Sequence, residues 1–293
     1  MIVSASYRTD IPAFYADWFL ARLRAGHCRV ANPYGGPPGR VDLTPGAVDG
    51  FVFWTRNLAP FAAALDAVDA LALPFVVQMT VTGYPRALDR STIDAATAVD
   101  QMRTVRDRWG PRAAVWRYDP IVLSDATGAD WHLANFAALA ASLAGTVDEV
   151  VVSFLEPYRK TTRNMDAAAR RHGFVWHRPD VAAQRGLTVR LAAVAAEHGM
   201  ALAVCTQRQL ADLPGVAAAR CVDAGRLSDV AGRPLAARTK GNRPGCLCAE
   251  SRDIGAYDTC IHGCAYCYAV ASREAAQRRH GAHDPSGEAL LPA

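Results

Sequence analysis

Three cysteines lie close together near the carboxyl end of the chain. The segment from Cys260 to Cys267 reads CIHGCAYC, so Cys260, Cys264 and Cys267 are spaced C-x3-C-x2-C, and Cys246 and Cys248 stand shortly before it. Thiolates are soft anionic ligands, and a group this dense needs a cation to balance the repulsion between its sulfurs. The spacing therefore predicts a metal or iron–sulfur site built on these five cysteines.

Three kinds of site are compatible with these ligands. A structural zinc ion needs four ligands, which the three cysteines of the motif can provide together with Cys246, Cys248 or His262. An iron–sulfur cluster bound by four cysteines uses the same residues for electron transfer or stability. A cluster bound by the three cysteines of the motif alone leaves one iron free for an external ligand. Only this third alternative creates a reactive cofactor site.

The rest of the chain alternates short apolar runs with amphipathic segments. The apolar runs predict buried strands at residues 2–6, 50–54, 75–81, 114–117, 149–154, 201–205 and 219–222. The segments between them predict helices at residues 12–25, 59–71, 92–109, 129–143 and 180–198. This α/β alternation favours a (β/α)8-like barrel of the TIM type, complete or incomplete since no eighth strand is evident, with a doubly wound open sheet as the alternative. Residues 26–43 predict an inserted hairpin.

Charged residues follow several predicted strands where the strands end. They are Arg8 and Asp10 after the first strand, Arg56 after the second, Arg117 and Asp119 after the fourth, and Glu156 after the fifth. In a parallel α/β barrel these ends converge on one mouth, where active sites are built. The arginines suit carboxylate or phosphate recognition, and the acids suit hydroxyl or amine contacts or proton transfer. We therefore expect these six residues to line a polar catalytic pocket; helix capping or structural ion pairs would use the same residue types.

The overall composition says little about partners. The net charge is +4 in 293 residues, with acidic and basic residues interspersed, so nucleic-acid binding is neither supported nor excluded. The first residues lack the pattern of a secretory signal, and no apolar run approaches the roughly 20 residues that span a bilayer. We expect a cytoplasmic protein without a membrane partner. Its reducing surroundings favour metal over disulfides for clustered cysteines.

The cysteine region differs in composition from the part before it. Residues 1–240 are expected to form the barrel. Residues 241–280 are expected to form a cysteine-rich loop and a helix at 268–279 on its mouth, and residues 281–293 a disordered tail. The basic segment from Tyr158 to Asn164 is interpreted as a loop at the mouth. Free cysteines are commonly buried, so Cys28, Cys205 and Cys221 are interpreted as core residues.

The cysteine motif resembles the cluster-binding loop of the radical S-adenosylmethionine enzymes, including the aromatic residue Tyr266 before the last cysteine. Other segments extend the similarity: YRTDIP from Tyr7, FWTRN from Phe53, RYDPI from Arg117 and CLC from Cys246. With these segments the chain resembles a bacterial family of uncharacterised proteins that carry a C-terminal radical-S-adenosylmethionine-like cysteine cluster. The resemblance covers nearly the whole chain.

The resemblance implies a [4Fe-4S] cluster held by Cys260, Cys264 and Cys267. In the radical enzymes the open iron chelates the amino and carboxylate groups of S-adenosylmethionine. Reduction then cleaves the sulfonium to a 5′-deoxyadenosyl radical, which abstracts hydrogen from the substrate. The same resemblance implies that Tyr266 packs near the adenine. Two features depart from those enzymes, since the loop follows the last predicted strand rather than the first and no Gly-Gly-Glu methionine-binding segment is evident.

The sequence thus predicts an iron–sulfur protein. The leading hypothesis is an enzyme of the radical S-adenosylmethionine type that acts on a small molecule or another unknown substrate and needs a reductant for its cluster. The alternatives are a non-catalytic iron–sulfur protein with a redox or structural role, and a protein with a structural zinc site.

Overall fold

The structure is a computed structural model that describes residues 1–31 and 36–291. Its strands are β1 (Ile2–Ala5), β2 (His27–Val30), β3 (Gly39–Asp42), β4 (Gly50–Thr55), β5 (Phe75–Thr80), β6 (Ala114–Ile121), β7 (Leu123–Ser124), β8 (Glu149–Phe154), β9 (Trp176–His177), β10 (Ala201–Val204), β11 (Val216–Ala218) and β12 (Ser251–Asp253). Its helices are α1 (Ile11–Phe14), α2 (Ala16–Ala25), α3 (Ala62–Ala70), α4 (Ala95–Trp109), α5 (Ala129–Leu143), α6 (Arg159–His172), α7 (Val181–Glu197), α8 (Ala224–Ala231) and α9 (Arg273–Gly281).

Eight strands form one sheet in the order β11-β10-β8-β6-β5-β4-β1-β12, and each neighbouring pair is parallel. The register is continuous across the middle of the sheet, where Val52 lies opposite Ser4 on one side and Val76 on the other. Most of the connections between these strands are helical. The structure therefore confirms an α/β fold with a large parallel sheet.

The closed barrel is not found. β11 and β12 are the edges of the sheet, and within the described ranges no ladder joins them. The predicted seventh strand at residues 219–222 was misplaced, because the strand is Val216–Ala218. Beyond it, the carbonyl oxygen of Cys221 accepts a hydrogen bond from Gln78 Nε2 at 2.9 Å. One backbone hydrogen bond reaches the segment before β12, from the Ala249 N–H to the Val222 carbonyl oxygen at 2.8 Å, but within the described residues it does not continue as a ladder.

The eighth strand, which the sequence did not reveal, is β12. It pairs with β1, with Val3 opposite Arg252. Its sequence, Ser-Arg-Asp, has no apolar pattern that would distinguish it from a loop. Residues 241–280 therefore contribute a strand to the main sheet in addition to the cysteine loop.

Both faces of the sheet are buried, as near-continuous apolar strands predict. On the outer face, Phe51 and Phe53 pack against Phe19 of α2 with ring centroids 5.6 and 5.5 Å apart. The inner face carries a separate apolar cluster that includes Ile2, Val52, Val76, Val115, Val151 and Ala203. Side chains alternate along a strand, so the residues two positions further on share this inner face. They are Ser4, Trp54, Gln78, Arg117, Ser153 and Cys205. The inner face thus changes from apolar to mainly polar towards the carboxyl ends of the strands.

Helices α1 and α4 each begin directly after an aspartate whose side chain caps the helix. Asp10 caps α1, because its carboxylate accepts from the Ala13 backbone N–H at 2.9 Å. The helix predicted at residues 12–25 is interrupted at Tyr15, between α1 and α2. α4 begins at Ala95 and not at residue 92 as predicted, since Asp94 accepts from the Thr97 backbone N–H at 2.9 Å.

Two helices were missed and one was misplaced. The segment interpreted as a basic loop after Tyr158 is helix α6, within which only Thr161 and Met165 are buried. α8 has eight residues, of which Arg226 and Leu227 are buried. Both helices bury too few apolar side chains to produce a clear helical period. The helix predicted at residues 268–279 begins later, at Arg273. No helix in the described ranges is long and apolar enough to cross a membrane.

The predicted hairpin at residues 26–43 is present as β2 and β3, which pair antiparallel with His27 opposite Asp42. Residues 32–35 of this prediction lie outside the described residues. The chain after Gly281, predicted to be disordered, contacts the hairpin. The Arg29 backbone N–H donates to the Glu288 carbonyl oxygen at 2.8 Å, and Leu290 is buried. Residues 292–293 of the predicted tail lie outside the described residues.

Candidate functional site

The carboxyl ends of the parallel strands surround a cavity of about 640 Å³, a volume typical of small-molecule sites. Every residue that the sequence proposed for the site lines this cavity: Arg8, Asp10, Arg56, Arg117, Asp119, Glu156, Tyr266, Cys246, Cys248, Cys260, Cys264 and Cys267. They converge because the ends of parallel strands lie at one edge of a sheet. Their position is thus established, while their catalytic and ligand roles stay predictions.

Asp10 connects the sheet to the cysteine loop. One carboxylate oxygen caps α1, and the other accepts from the Arg56 backbone N–H and from His262 Nε2, both at 2.8 Å. Both oxygens are therefore used within the protein, which favours a positioning role over proton transfer. The other ring nitrogen of His262, Nδ1, is buried and has no hydrogen-bond partner. His262 is available to a further group only through that atom.

Arg56, Asp89 and Tyr266 form a buried network beside the cysteine loop. Arg56 Nη1 lies 2.8 Å from Asp89 Oδ2, and Arg56 Nη2 donates to the Tyr266 hydroxyl. The Tyr266 hydroxyl donates to Asp89 Oδ1 at 2.5 Å. Burial opposes the charge of Arg56, but Asp89, Tyr266 and Cys264 outweigh it and raise the pKa of the guanidinium. Burial also raises the pKa of the Tyr266 hydroxyl well above its usual value, so it remains a neutral donor.

Arg8 is held by Asp253 of β12. Arg8 Nε donates to Asp253 Oδ1 at 2.8 Å, and Nη2 donates to the Asp253 carbonyl oxygen at 2.9 Å. The same carboxylate accepts from the hydroxyls of Ser4 and Ser6 at 2.8 and 2.7 Å. This cluster fixes β12 against β1. Arg8 therefore serves at least one structural function at the cavity wall.

Arg117 and Asp119 form the corresponding pair on β6. Arg117 Nη2 donates to Asp119, whose second oxygen accepts from the Ser153 hydroxyl. Arg117 Nη1 lies 3.1 Å from Cys221 Sγ, and the guanidinium stacks over Trp54 at 5.0 Å from the ring centroid. Burial opposes the charge of Arg117, but Cys221, Asp119 and Cys205 raise its pKa. Arg117 is therefore a fixed cation on the inner face of the sheet.

Glu156 lies at the rim of the cavity. Its carboxylate accepts from Gln207 Nε2 at 3.3 Å and lies 3.6 Å from Arg178 Nη2. The side chain is 36 % exposed, in contrast to the 3 % of Asp89. Among the predicted acids, Glu156 is thus the most accessible to an entering molecule, since Asp10 and Asp119 are 7 and 17 % exposed.

The loop from Cys260 to Cys267 is fastened to the segment after β5. The Ala265 backbone N–H donates to the Leu88 carbonyl oxygen at 2.9 Å, and the Ser91 N–H donates to the His262 carbonyl oxygen at 3.0 Å. Gly263 has φ +73°, a conformation that favours glycine, and a Cβ there would contact the Arg273 guanidinium. The backbone of the loop is therefore held from both sides.

The three thiols of the loop are neutral without a metal. Burial raises the pKa of Cys260, Cys264 and Cys267 because it disfavours the thiolate, and in Cys264 the nearby Arg56 acts in the opposite direction. Among the described residues, no three His, Cys, Asp or Glu side chains already surround a point where a metal would sit. The donor set nevertheless fits an iron–sulfur cluster, because three thiols of one loop face the same cavity.

Cys246 and Cys248 lie with other cysteines. The side chain of Cys248 interacts with those of Cys221 and Cys246, and Cys221 Sγ lies 3.8 Å from Cys205 Sγ. Cys205 and Cys221, interpreted from the sequence as core residues, are indeed buried, but they also line the cavity. The four cysteines therefore form a group of their own on the cavity wall.

Asp89 and Asp253 were missed by sequence reasoning, and His262 was considered only as an alternative zinc ligand. Asp89 lies in a loop and Asp253 in a strand without an apolar pattern. Residue type alone does not separate a buried carboxylate from the many exposed ones. Of the three residues, His262 alone had a signal, its position inside the cysteine motif.

A family model described as "Domain of unknown function (DUF1848)" matches residues 2–269, so the chain belongs to this family. No curated protein matches the chain. Among solved structures, the crystal structure of a D-hydantoinase is similar over 72% of this chain, with 9% sequence identity and a TM-score of 0.33. The match covers 42% of the length of that protein.

Proposed function

We propose that this member of the DUF1848 family is an iron–sulfur enzyme of the radical S-adenosylmethionine type. Cys260, Cys264 and Cys267 would hold a [4Fe-4S] cluster at the cavity wall. The observation that carries the proposal is the location of this C-x3-C-x2-C loop, at the carboxyl ends of parallel strands beside a cavity of about 640 Å³. The inner apolar cluster of the sheet supports a description of the scaffold as an incomplete barrel.

The arrangement of the remaining cysteines supports a cluster with three protein ligands. Cys246 and Cys248 interact with each other and with Cys221, so they are engaged apart from the loop. A fourth iron without a thiolate would then be open to S-adenosylmethionine. All eight cysteines are free, which fits a reducing, cytoplasmic location.

A reduced cluster of this type supplies the electron that cleaves S-adenosylmethionine, and it needs an external reductant. The residues of the chain position and shield the site. Asp10 and the Arg56–Asp89–Tyr266 network hold the cysteine loop on the sheet. The hydroxyl of Tyr266 is committed to Asp89, so its ring is the part available to pack against an adenine.

The other part of the cavity suits a small polar substrate. Arg117 and Asp119 offer a buried cation and anion side by side, and Glu156 lies at the entrance. A guanidinium can bind a carboxylate or phosphate, and a carboxylate can accept from a hydroxyl or amine. We therefore propose that the substrate is a small molecule that carries such groups.

Anaerobic reconstitution with iron and sulfide tests the cluster. The wild type should bind about four irons per chain, as the stoichiometry of the cluster requires, and show the brown absorbance of a cluster. Cys260→Ala, Cys264→Ala and Cys267→Ala should each abolish it. Cys246→Ala and Cys248→Ala should retain it, as should the control Cys28→Ala, whose sulfur is buried in the main core. Zinc bound by Cys260, Cys264 and Cys267, with no iron taken up by the wild type, would refute the proposal.

Incubation of the reduced cluster with S-adenosylmethionine tests the chemistry. Release of 5′-deoxyadenosine, lost in the three loop variants and kept in Cys28→Ala, is the expected result. An intact and reduced cluster that releases none would instead identify a non-catalytic iron–sulfur protein.

A further inference from the structure

A second group of cysteines lines the cavity apart from the cluster loop. Cys205 follows β10, Cys221 follows β11, and Cys246 and Cys248 precede β12. We propose that these four cysteines form a second metal site that binds one thiophilic divalent cation, with zinc as the best match. This inference does not depend on the proposed function.

One pair of the sulfur atoms already has a suitable spacing. Cys221 Sγ lies 3.8 Å from Cys205 Sγ, and Cys248 interacts with both Cys221 and Cys246. Sulfurs around a tetrahedral zinc, each about 2.3 Å from the metal, lie about 3.8 Å from one another. A disulfide would need about 2.05 Å. A four-iron cluster binds each thiolate through a different iron and therefore spreads the sulfurs further apart, so the spacing favours a single ion.

Positive charges and N–H donors face the same sulfurs. Arg117 Nη1 lies 3.1 Å from Cys221 Sγ, and Arg243 Nη2 lies 3.5 Å from Cys205 Sγ. The Val222 backbone N–H donates to Cys248 Sγ at 3.4 Å. Binding of a divalent cation to four thiols releases four protons and leaves two negative charges on the site. The two guanidinium groups are placed to offset them.

The four sulfurs do not yet surround a common point at which a metal ion could bind. Within the described residues, no three side chains of the metal-binding types surround a common centre. The sulfurs run in a chain from Cys205 through Cys221 and Cys248 to Cys246, so binding requires rotation of at least one side chain. Cys246 is the best placed to rotate, because it lies in a loop and is only partly buried. The alternative is that the four cysteines only pack in the hydrophobic core, in which case they would bind no metal.

Titration with Co²⁺ alone tests the site in metal-free protein that carries Cys264→Ser, a change that disables the cluster loop. One cobalt per chain should bind and show the intense visible bands of a tetrahedral tetrathiolate. Addition of Cys221→Ser or Cys246→Ser should weaken binding by about tenfold or more. Addition of Cys28→Ala, the buried control, should leave it unchanged.

A second measurement uses the wild type, so it does not depend on the folding of a variant. Zinc should slow alkylation of Cys246 by iodoacetamide by about tenfold or more, as read by peptide mass spectrometry. Equal alkylation rates with and without zinc would overturn the inference. So would tetrathiolate bands that survive Cys221→Ser, or a Cys205–Cys221 disulfide in protein purified anaerobically. Loss of iron uptake in Cys264→Ser bears on the cluster loop alone, so the two proposals fail separately.

Discussion

Replacement of Asp89 by asparagine tests whether a buried charge network holds the cysteine loop on the sheet. The side chain of Asp89 is 3% exposed, and its carboxylate accepts from Arg56 at 2.8 Å, Thr82 at 2.7 Å and Tyr266 at 2.5 Å. Asparagine has nearly the same shape but no charge. Its NH2 group would take the place of one carboxylate oxygen and would face a hydrogen-bond donor instead of accepting from it. Arg56 would then be buried without its counter-ion.

The expected loss follows from the number and charge of these contacts. Removal of one partner of a buried ion pair costs about 3–5 kcal/mol. Loss of one hydrogen bond to a charged group costs about 1.5–3 kcal/mol. We therefore expect the free energy of unfolding to fall by these amounts in Asp89→Asn and Tyr266→Phe respectively. Both changes act on the same Tyr266–Asp89 hydrogen bond, since Asp89→Asn removes its charge and Tyr266→Phe removes its donor, so the double variant should lose less than the sum, by at least about 0.5 kcal/mol.

Urea denaturation of the metal-free, reduced protein measures these losses, with m-values compared to verify the same transition. Asp107→Asn is the matched control. Asp107 pairs with Arg106 at the surface, its side chain is 64% exposed, and its replacement should change stability by less than about 0.5 kcal/mol. A loss below about 1 kcal/mol for Asp89→Asn, or losses that add without coupling, would refute the proposed network.

Three further changes test other parts of the structure. Burial lowers the pKa of His132 from its usual 6.5 to about 4. Between these two pH values the imidazole is therefore protonated in the unfolded chain and neutral in the folded chain. The stability due to neutral His132 is therefore present above pH 6.5 and lost as the pH falls towards 4. Across this window the free energy of unfolding of the wild type, measured with urea, should fall by up to about 3 kcal/mol relative to that of His132→Gln. If the two proteins show parallel pH profiles, His132 is not the cause of the pH dependence. Asp253→Asn should free β12 from β1 and speed hydrogen exchange of the Ile254 amide, which donates to the Ser4 carbonyl oxygen at 3.0 Å; unchanged protection would show that the carboxylate is dispensable. Gly263→Ala should lower iron uptake in reconstitution, whereas Gly145→Ala, with a similar φ of +71° but open space around it, should not; equal uptake would argue against a constrained loop.

The central strands could be predicted because their signal is local. β4, β5 and β8 are buried on both faces, and their sequences are apolar without interruption or nearly so. β12 and α6 gave no such signal. β12 is held through the carboxylate of Asp253, and α6 buries only Thr161 and Met165. Elements fixed by a few polar contacts or a few buried side chains do not show a period in the sequence.

Closure of the barrel was likewise beyond sequence reasoning. A run of βα units predicts parallel strands, but whether the last strand meets the first depends on the backbone hydrogen bonds at two distant edges. Here a single backbone hydrogen bond joins Val222 to Ala249, and within the described residues no ladder joins β11 to β12.

The sequence by itself determined that the polar residues after the apolar strands would gather at the cavity. Parallel strands place all their carboxyl ends at one edge, so residues that follow those strands must meet there. Only the tertiary structure decided their partners: Arg8 with Asp253, Arg56 with Asp89, and Cys248 with Cys221 rather than with the cluster loop. The chain contains many carboxylates and eight cysteines, and which of them pair depends on distances that exist only after folding.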